Sequence, residues 1–189
     1  MTLYLIRHGE TDWNCQKLLQ GSRDIPLNER GSTLAVQTAE GMQRAGLRFD
    51  RVYSSPLSRA LETARILCPG QEIRTDLRLR EISFGAYEGT VCPVLSALPL
   101  PPPGGERIED LQARVMACLG DIAGEPANGG KRILVSTHGA VIRGVVMAIK
   151  NLPHQDFWQG SVSRNCGITV LEAKQGRFTL LREDLTFYP

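Results

Sequence analysis

Ile133-Leu134-Val135-Ser136-Thr137-His138-Gly139-Ala140-Val141-Ile142 is the stretch that decides the fold. Residues 133–136 carry no charge and read as a short strand buried on both faces. A polar turn with a glycine follows. Residues 141–149 are then apolar nearly all round, the pattern of a helix buried on two sides. The chain opens the same way: Leu3-Tyr4-Leu5-Ile6 runs into Arg7-His8-Gly9. Further apolar runs stand at 52–54 and 168–171, with 178–181 as the expected partner of the last. Between them, apolar residues recur every three or four positions, at Leu57, Leu61, Ala64 and Leu67, and again at Ile108, Leu111, Val115, Leu119 and Ile122. A third helix is expected over 29–45, fed by the turn-like Asp24-Ile25-Pro26-Leu27-Asn28, with Gly46, Gly124 and Gly129-Gly130 as helix stops or loops. Strands alternating with helices imply an α/β fold, a three-layer α/β/α sandwich around a mostly parallel sheet. Lys174-Gln175-Gly176 reads as a hairpin turn, which adds one antiparallel strand.

The 189 residues suit one domain spanning 1–189. Its one compositional break is the proline-rich stretch at about 90–105, read as a cap or loop, with a plain rigid connector the equal alternative. A net charge of +2 gives no reason to expect nucleic acid or an anionic membrane as partner. No stretch approaches 18 apolar residues and no apolar leader precedes Arg7, so a cytoplasmic protein is expected. The cysteines are Cys15, Cys68, Cys92, Cys118 and Cys166. They are odd in number, widely spaced and without a C-x-x-C pair, so reduced thiols are expected and neither a zinc site nor a disulfide framework. The sequence leaves homodimer formation open.

In doubly wound sheets, ligands sit beyond the carboxyl ends of the strands. Arg7 and His8, then Ser55 to Arg59, then Thr137-His138-Gly139 all fall at such ends. Two histidines and two arginines from distant parts of the chain are thus expected to converge, with a helix N-terminus beside them. That set fits a tetrahedral phosphate: arginine offers planar paired donors, and a neutral imidazole nitrogen is able to attack phosphorus. The arginine next to His8 opposes protonation of its ring. An alkoxide leaving group needs a proton, and Glu81 in Leu79-Arg80-Glu81-Ile82-Ser83-Phe84-Gly85 is the candidate acid, given a pKa raised by burial or by the phosphate.

These residues carry a resemblance that covers nearly the whole chain. Arg7-His8-Gly9-Glu10-Thr11 resembles the signature of the histidine phosphatase superfamily, the phosphoglycerate mutase-like family. Asn14, the Asp24-Ile25-Pro26-Leu27 to Gly31 stretch, Ser54-Ser55-Pro56-Leu57-Ser58-Arg59 with Thr63-Ala64, the acid loop from Leu79 to Gly89, and Val135 to Arg143 follow the family's order. The resemblance implies that His8 is phosphorylated, that Arg7, Arg59 and His138 hold phosphate, and that Glu81 is the acid; Glu88 is the competing candidate for the acid, with anchoring of the loop as its expected role. It also implies that Asn14, Gln20, Gly21 and Gly139 lie at the phosphate or substrate, and that hydrolysis needs no metal or organic cofactor. Mutases of the family carry a longer basic insertion after the acid loop. Here the residues between Gly89 and Gly104 include no Lys or Arg. This resembles the small bacterial phosphatases, broad-specificity or acting on α-ribazole phosphate. The expected activity is therefore hydrolysis of a small phosphomonoester with some apolar character. A mutase and a non-catalytic phospho-ligand or protein-binding module are the alternatives. Arg143 is expected to pair with a carboxylate and support the site indirectly, His154 to lie at the surface, and Phe157 and Trp158 to pack.

Overall fold

The computed structural model describes residues 1–91, 101–159 and 162–188. Most of the proline-rich stretch singled out above, residues 92–100, lies outside them. The elements run β1 (Thr2–Arg7), α1 (Asp12–Cys15), α2 (Glu29–Arg44), β2 (Arg51–Ser54), α3 (Ser58–Leu67), β3 (Ile73–Thr75), α4 (Ile108–Gly124), β4 (Arg132–Thr137), α5 (Gly139–Lys150), β5 (Ile168–Lys174) and β6 (Arg177–Leu185).

The strands form one sheet in the order β3-β2-β4-β1-β5-β6. β1 and β2 both run parallel to β4, and β3 runs parallel to β2. Among the described residues the single antiparallel strand is β5, which runs against both β1 and β6. The turn after it places Gln175 (φ 51°) and Gly176 (φ 73°) in the left-handed region that a tight hairpin requires.

Period-two alternation sorts the apolar strand residues onto the two faces. Leu3, Leu5, Ile133 and Val135 pack with Leu111, Val115 and Leu119 of α4 and Val141 and Val145 of α5. Ile6, Val52 and Leu134 pack on the other side with Ala35 and Met42 of α2 and Ala64 and Leu67 of α3. The expected sandwich is thus present, with α4 and α5 as one layer and α2 and α3 as the other. α5 is buried nearly all round, from Gly139 through Met147, as its composition predicts.

A close backbone crossing fixes the loop after His8. A Cβ on Gly31, in the first turn of α2, would stand 2.0 Å from the Glu10 carbonyl oxygen, and one on Gly9 would stand 2.6 Å from the Gly31 carbonyl. Only glycine at both positions lets α2 press against that loop. Asn28 caps α2 by accepting the Gly31 N–H at 2.7 Å, which secures the contact.

Candidate active site

Register alone assembles the centre of the site. Arg7 of β1 lies beside Thr137 of β4, and Ser136 of β4 lies beside Ser54 of β2. The next residue along each strand is therefore His8, His138 and Ser55, side by side at the carboxyl edge of the sheet. The His8 N–H donates to the Thr137 carbonyl at 3.0 Å and the Ser55 N–H to Ser136 at 2.9 Å. The helices after β1 and β4 cover opposite faces, so a crevice opens where these strands meet.

A cavity of about 160 Å³ occupies it. Arg7, His8, Asn14, Gln20, Gly21, Arg59, Glu81 and Gly139 line this cavity. The sequence motifs point to all of these. His138 is fully buried and does not line it; its ring stands 5.2 Å from that of His8, edge to face. Its Nε2 is 2.8 Å from Ser55 Oγ.

His8 Nδ1 is 2.6 Å from the Gly9 carbonyl oxygen, which only accepts, so Nδ1 carries the proton and Nε2 keeps its lone pair. Burial, and then the Arg59 and Arg7 charges, hold the His8 pKa well below the usual histidine value. Burial and Arg59 do the same to His138. Both rings are neutral near pH 7.

Each arginine is tied down by backbone carbonyls. Arg7 Nη1 donates to Ser163 at 2.6 Å; Arg59 donates to Arg23 at 2.7 Å and Gly21 at 2.9 Å. The Nε of each is buried with no partner. Burial lowers the Arg7 pKa and pushes that of Arg59 down to about 10, which leaves Arg59 cationic at neutral pH. Thr63 braces the pair of loops: it accepts the Gly9 N–H at 3.0 Å and donates to the Arg59 carbonyl at 2.7 Å.

Glu81 lies at the start of α5, and its carboxyl accepts the Ile82 N–H at 3.0 Å and the Ala140 N–H at 3.3 Å. The helix end expected to meet an anion is thus partly occupied by this side chain. Burial raises the Glu81 pKa, against the opposing pull of Arg59. Glu88 points elsewhere: it accepts from Ser22, from Ser83 and from the Phe84 N–H, and ties two loops together.

Sequence reasoning missed several supports. Arg114, in the middle of α4, donates to the carbonyls of Arg78, Arg80 and Glu81 and grips Glu106 at 2.6 and 2.8 Å, and so fixes the backbone that carries Glu81. Its one signal is a charge next to the apolar stripe of that helix. Asn165 donates to the His8 carbonyl at 3.0 Å. Trp158, expected to pack, lines the cavity with Leu18, Leu19, Phe84, Ala140 and Val162; Phe157 is the one fully buried in the core. Arg143, expected to pair with a carboxylate, donates instead to the backbone carbonyls of Asp156, Phe157 and Gln159 around that tryptophan. His154 begins a short turn and reaches Glu109 and Gln112.

The chain matches the histidine phosphatase superfamily (branch 1) over residues 3–186. It belongs to that family. A 2,3-bisphosphoglycerate-dependent phosphoglycerate mutase of Brucella melitensis is 30% identical over 188 residues, 90% of each chain. Among solved structures, Bacillus stearothermophilus YhfR superposes with a TM-score of 0.86 at 30% identity, covering 98% of both chains. An Entamoeba histolytica phosphoserine phosphatase in complex with 3-phosphoglyceric acid gives 0.84 at 28% identity, covering 98% of this chain and 97% of its own.

Proposed function

We propose that the protein hydrolyses small-molecule phosphomonoesters through a phosphohistidine at His8. One observation carries this reading: a neutral imidazole with its free Nε2 lines one cavity with two arginines whose buried Nε–H donors have no acceptor. A buried donor without a partner is costly, and a phosphoryl oxygen would satisfy both. In the first step His8 Nε2 attacks phosphorus, Glu81 gives its proton to the departing alkoxide, and Arg7 and Arg59 offset the charge on the phosphoryl oxygens, while His138 packs edge to face on the His8 ring. In the second, water attacks the phosphohistidine and Glu81 takes the proton back. Asn14, Gln20, Gly21 and Gly139 complete the wall around the ester. The raised pKa of Glu81 suits the donor role, and the lowered pKa of His8 suits the nucleophile. Every step uses side chains of this protein alone.

The names of the curated relatives favour phosphate transfer between two hydroxyls of one acid as a second reading. Against it, Arg7 and Arg59 supply the only Lys or Arg side chains among the described residues lining the cavity. We read residues 1–189 as a single domain of this family and, from the unpaired thiols of Cys15, Cys68, Cys118 and Cys166, assign it to a reducing compartment such as the cytoplasm. Nucleic acid and membrane have no place in this reading, and assembly as a homodimer is compatible with it.

The test is hydrolysis of phenyl phosphate and a panel of metabolite monoesters in excess EDTA, comparing wild type with His8→Ala. Activity that resists EDTA and disappears in the variant is the expected result. Phosphate transfer from a bisphosphate primer without net release would favour the mutase instead.

A further inference from the structure

Six buried side-chain polar atoms among the described residues have no hydrogen-bond partner. Four of them belong to residues that line the cavity beside His8: Arg7 Nε, Arg59 Nε, Gln20 Oε1 and Trp158 Nε1. The arginine donors are accounted for by the phosphoryl group. The other two are neutral, one acceptor and one donor, and phosphate chemistry does not need them.

Trp158 is held where it is. Its ring packs edge to face on the core residue Phe157, with centroids 4.6 Å apart, and lies 5.6 Å from Phe84. Arg143 of α5 binds the carbonyls on either side of it. An indole fixed this way, with its N–H buried and unanswered, is preorganised to donate to a ligand.

We propose that Trp158 is a specificity-determining residue whose indole N–H donates to a hydroxyl oxygen on the alcohol part of the substrate, so that the preferred substrates are phosphate monoesters of uncharged alcohols bearing a second hydroxyl near the ester. The proposal rests on the phosphomonoesterase reading above. A hydroxyl matches both neutral groups in kind, because it is able to accept from Trp158 Nε1 and to donate to Gln20 Oε1. A carboxylate only accepts, and would leave the Gln20 oxygen facing negative charge. The apolar neighbours Leu18, Leu19, Phe84 and Val162 carry no charge to balance one.

The experiment compares three esters, wild type against Trp158→Phe. Glycerol 3-phosphate and 3-phosphoglycerate differ by a hydroxymethyl against a carboxylate, and phenyl phosphate has no second hydroxyl. The wild type should favour glycerol 3-phosphate over 3-phosphoglycerate in kcat/KM. Trp158→Phe keeps an aromatic ring and removes the N–H. It should lower kcat/KM for glycerol 3-phosphate by about tenfold, the worth of one neutral hydrogen bond, and lower it clearly less for phenyl phosphate, which has no second hydroxyl to lose. Equal losses on both esters would reduce Trp158 to packing and overturn the proposal, as would a wild-type preference for 3-phosphoglycerate. His8-dependent hydrolysis of phenyl phosphate with no selective effect of the variant would leave the phosphatase reading standing and this one refuted. A wild type that hydrolyses none of the three would remove both.

Discussion

Arg114→Met tests whether the acid loop is held by a charge inside α4. In the structure, the guanidinium pairs with Glu106 at 2.6 Å, and both side chains are 13% exposed. It also donates to three carbonyls, those of Arg78, Arg80 and Glu81, at 2.5, 2.8 and 3.2 Å. Methionine keeps the packing volume and strands a buried carboxylate. Breaking a buried pair in this way costs about 3–5 kcal/mol, and for a chain of this size each kcal/mol lowers Tm by about 2–4 °C. A fall of about 6–20 °C is expected by calorimetry. Adding Glu106→Gln should recover part of that fall, because the stranded charge is gone. Activity should split by leaving group. In the proposed mechanism an alkyl phosphate takes its proton from Glu81, and general acid catalysis is worth about 10²–10⁴-fold. A loosened Glu81 should therefore lower kcat for glycerol 3-phosphate by at least about tenfold. Nitrophenyl phosphate, whose leaving group departs without a proton, should lose less than about threefold. The double variant should regain stability without regaining alkyl phosphatase activity. Equal losses on both esters, measured well below either Tm, would refute the idea that Arg114 acts through the position of Glu81.

Burial and backbone contact lead to two further outcomes. His8 and His138 are held neutral in the fold and charge freely when unfolded, so stability is fully present above the ordinary histidine pKa and is lost as pH falls below it. Urea unfolding between pH 7 and 5.5 should show a loss of roughly 1–3 kcal/mol per pH unit. Glu81, whose pKa is raised, works in the opposite sense, so Glu81→Gln should steepen the slope and His8→Asn flatten it; a slope indifferent to both would contradict the assignment. Gly31→Ala should destabilise by about 1–3 kcal/mol and lower activity, because the clash is with the backbone of Glu10 next to the nucleophile loop. Gly120→Ala, exposed in α4 with nothing within 4 Å of its Cβ, should stabilise by about 0.5–1 kcal/mol and leave activity alone.

What could be read from the sequence was whatever depends on neighbours along the chain. β1 and β4 announce themselves as apolar runs because both faces of the sheet are covered, and β5 and β6 are joined by a turn whose chemistry is local. β3 escaped because it is a three-residue edge strand with only Ile73 half-buried, so Gln71-Glu72-Ile73-Arg74-Thr75 shows no apolar run. α1 is a single capped turn, too short for a period. The residues around the cavity were legible at strand ends, since a parallel sheet collects its ligand-facing groups there. Arg114 and Trp158 were not, because their roles lie in contacts made across the fold. Arg114 meets carbonyls more than thirty residues away, and Trp158 lines the cavity while the neighbouring Phe157 is buried in the core. His138 was placed at the phosphate by its position after β4; the register does bring it to His8, but behind the cavity wall.

The arginines of this protein fall into two kinds, and the difference explains how the site stores its charge. Arg114 is partnered by a carboxylate, that of Glu106. Arg7 and Arg59 are anchored by backbone carbonyls instead, which hold a guanidinium in place through dipoles and leave its net charge intact. The carboxyl nearest to them, Glu81, is pushed by burial toward its neutral form, and the two histidines are pushed the same way. The depressed pKa of Arg59, about 10, is the cost of keeping a cation buried without a counter-ion. An arriving phosphate dianion supplies that counter-ion, and so restores the pKa of both arginines while raising that of Glu81 further. In the proposed mechanism, binding of the ester and protonation of the acid are then one electrostatic event: the same negative charge that the two arginines would pair with is what would keep a proton on Glu81 until the leaving oxygen needs it.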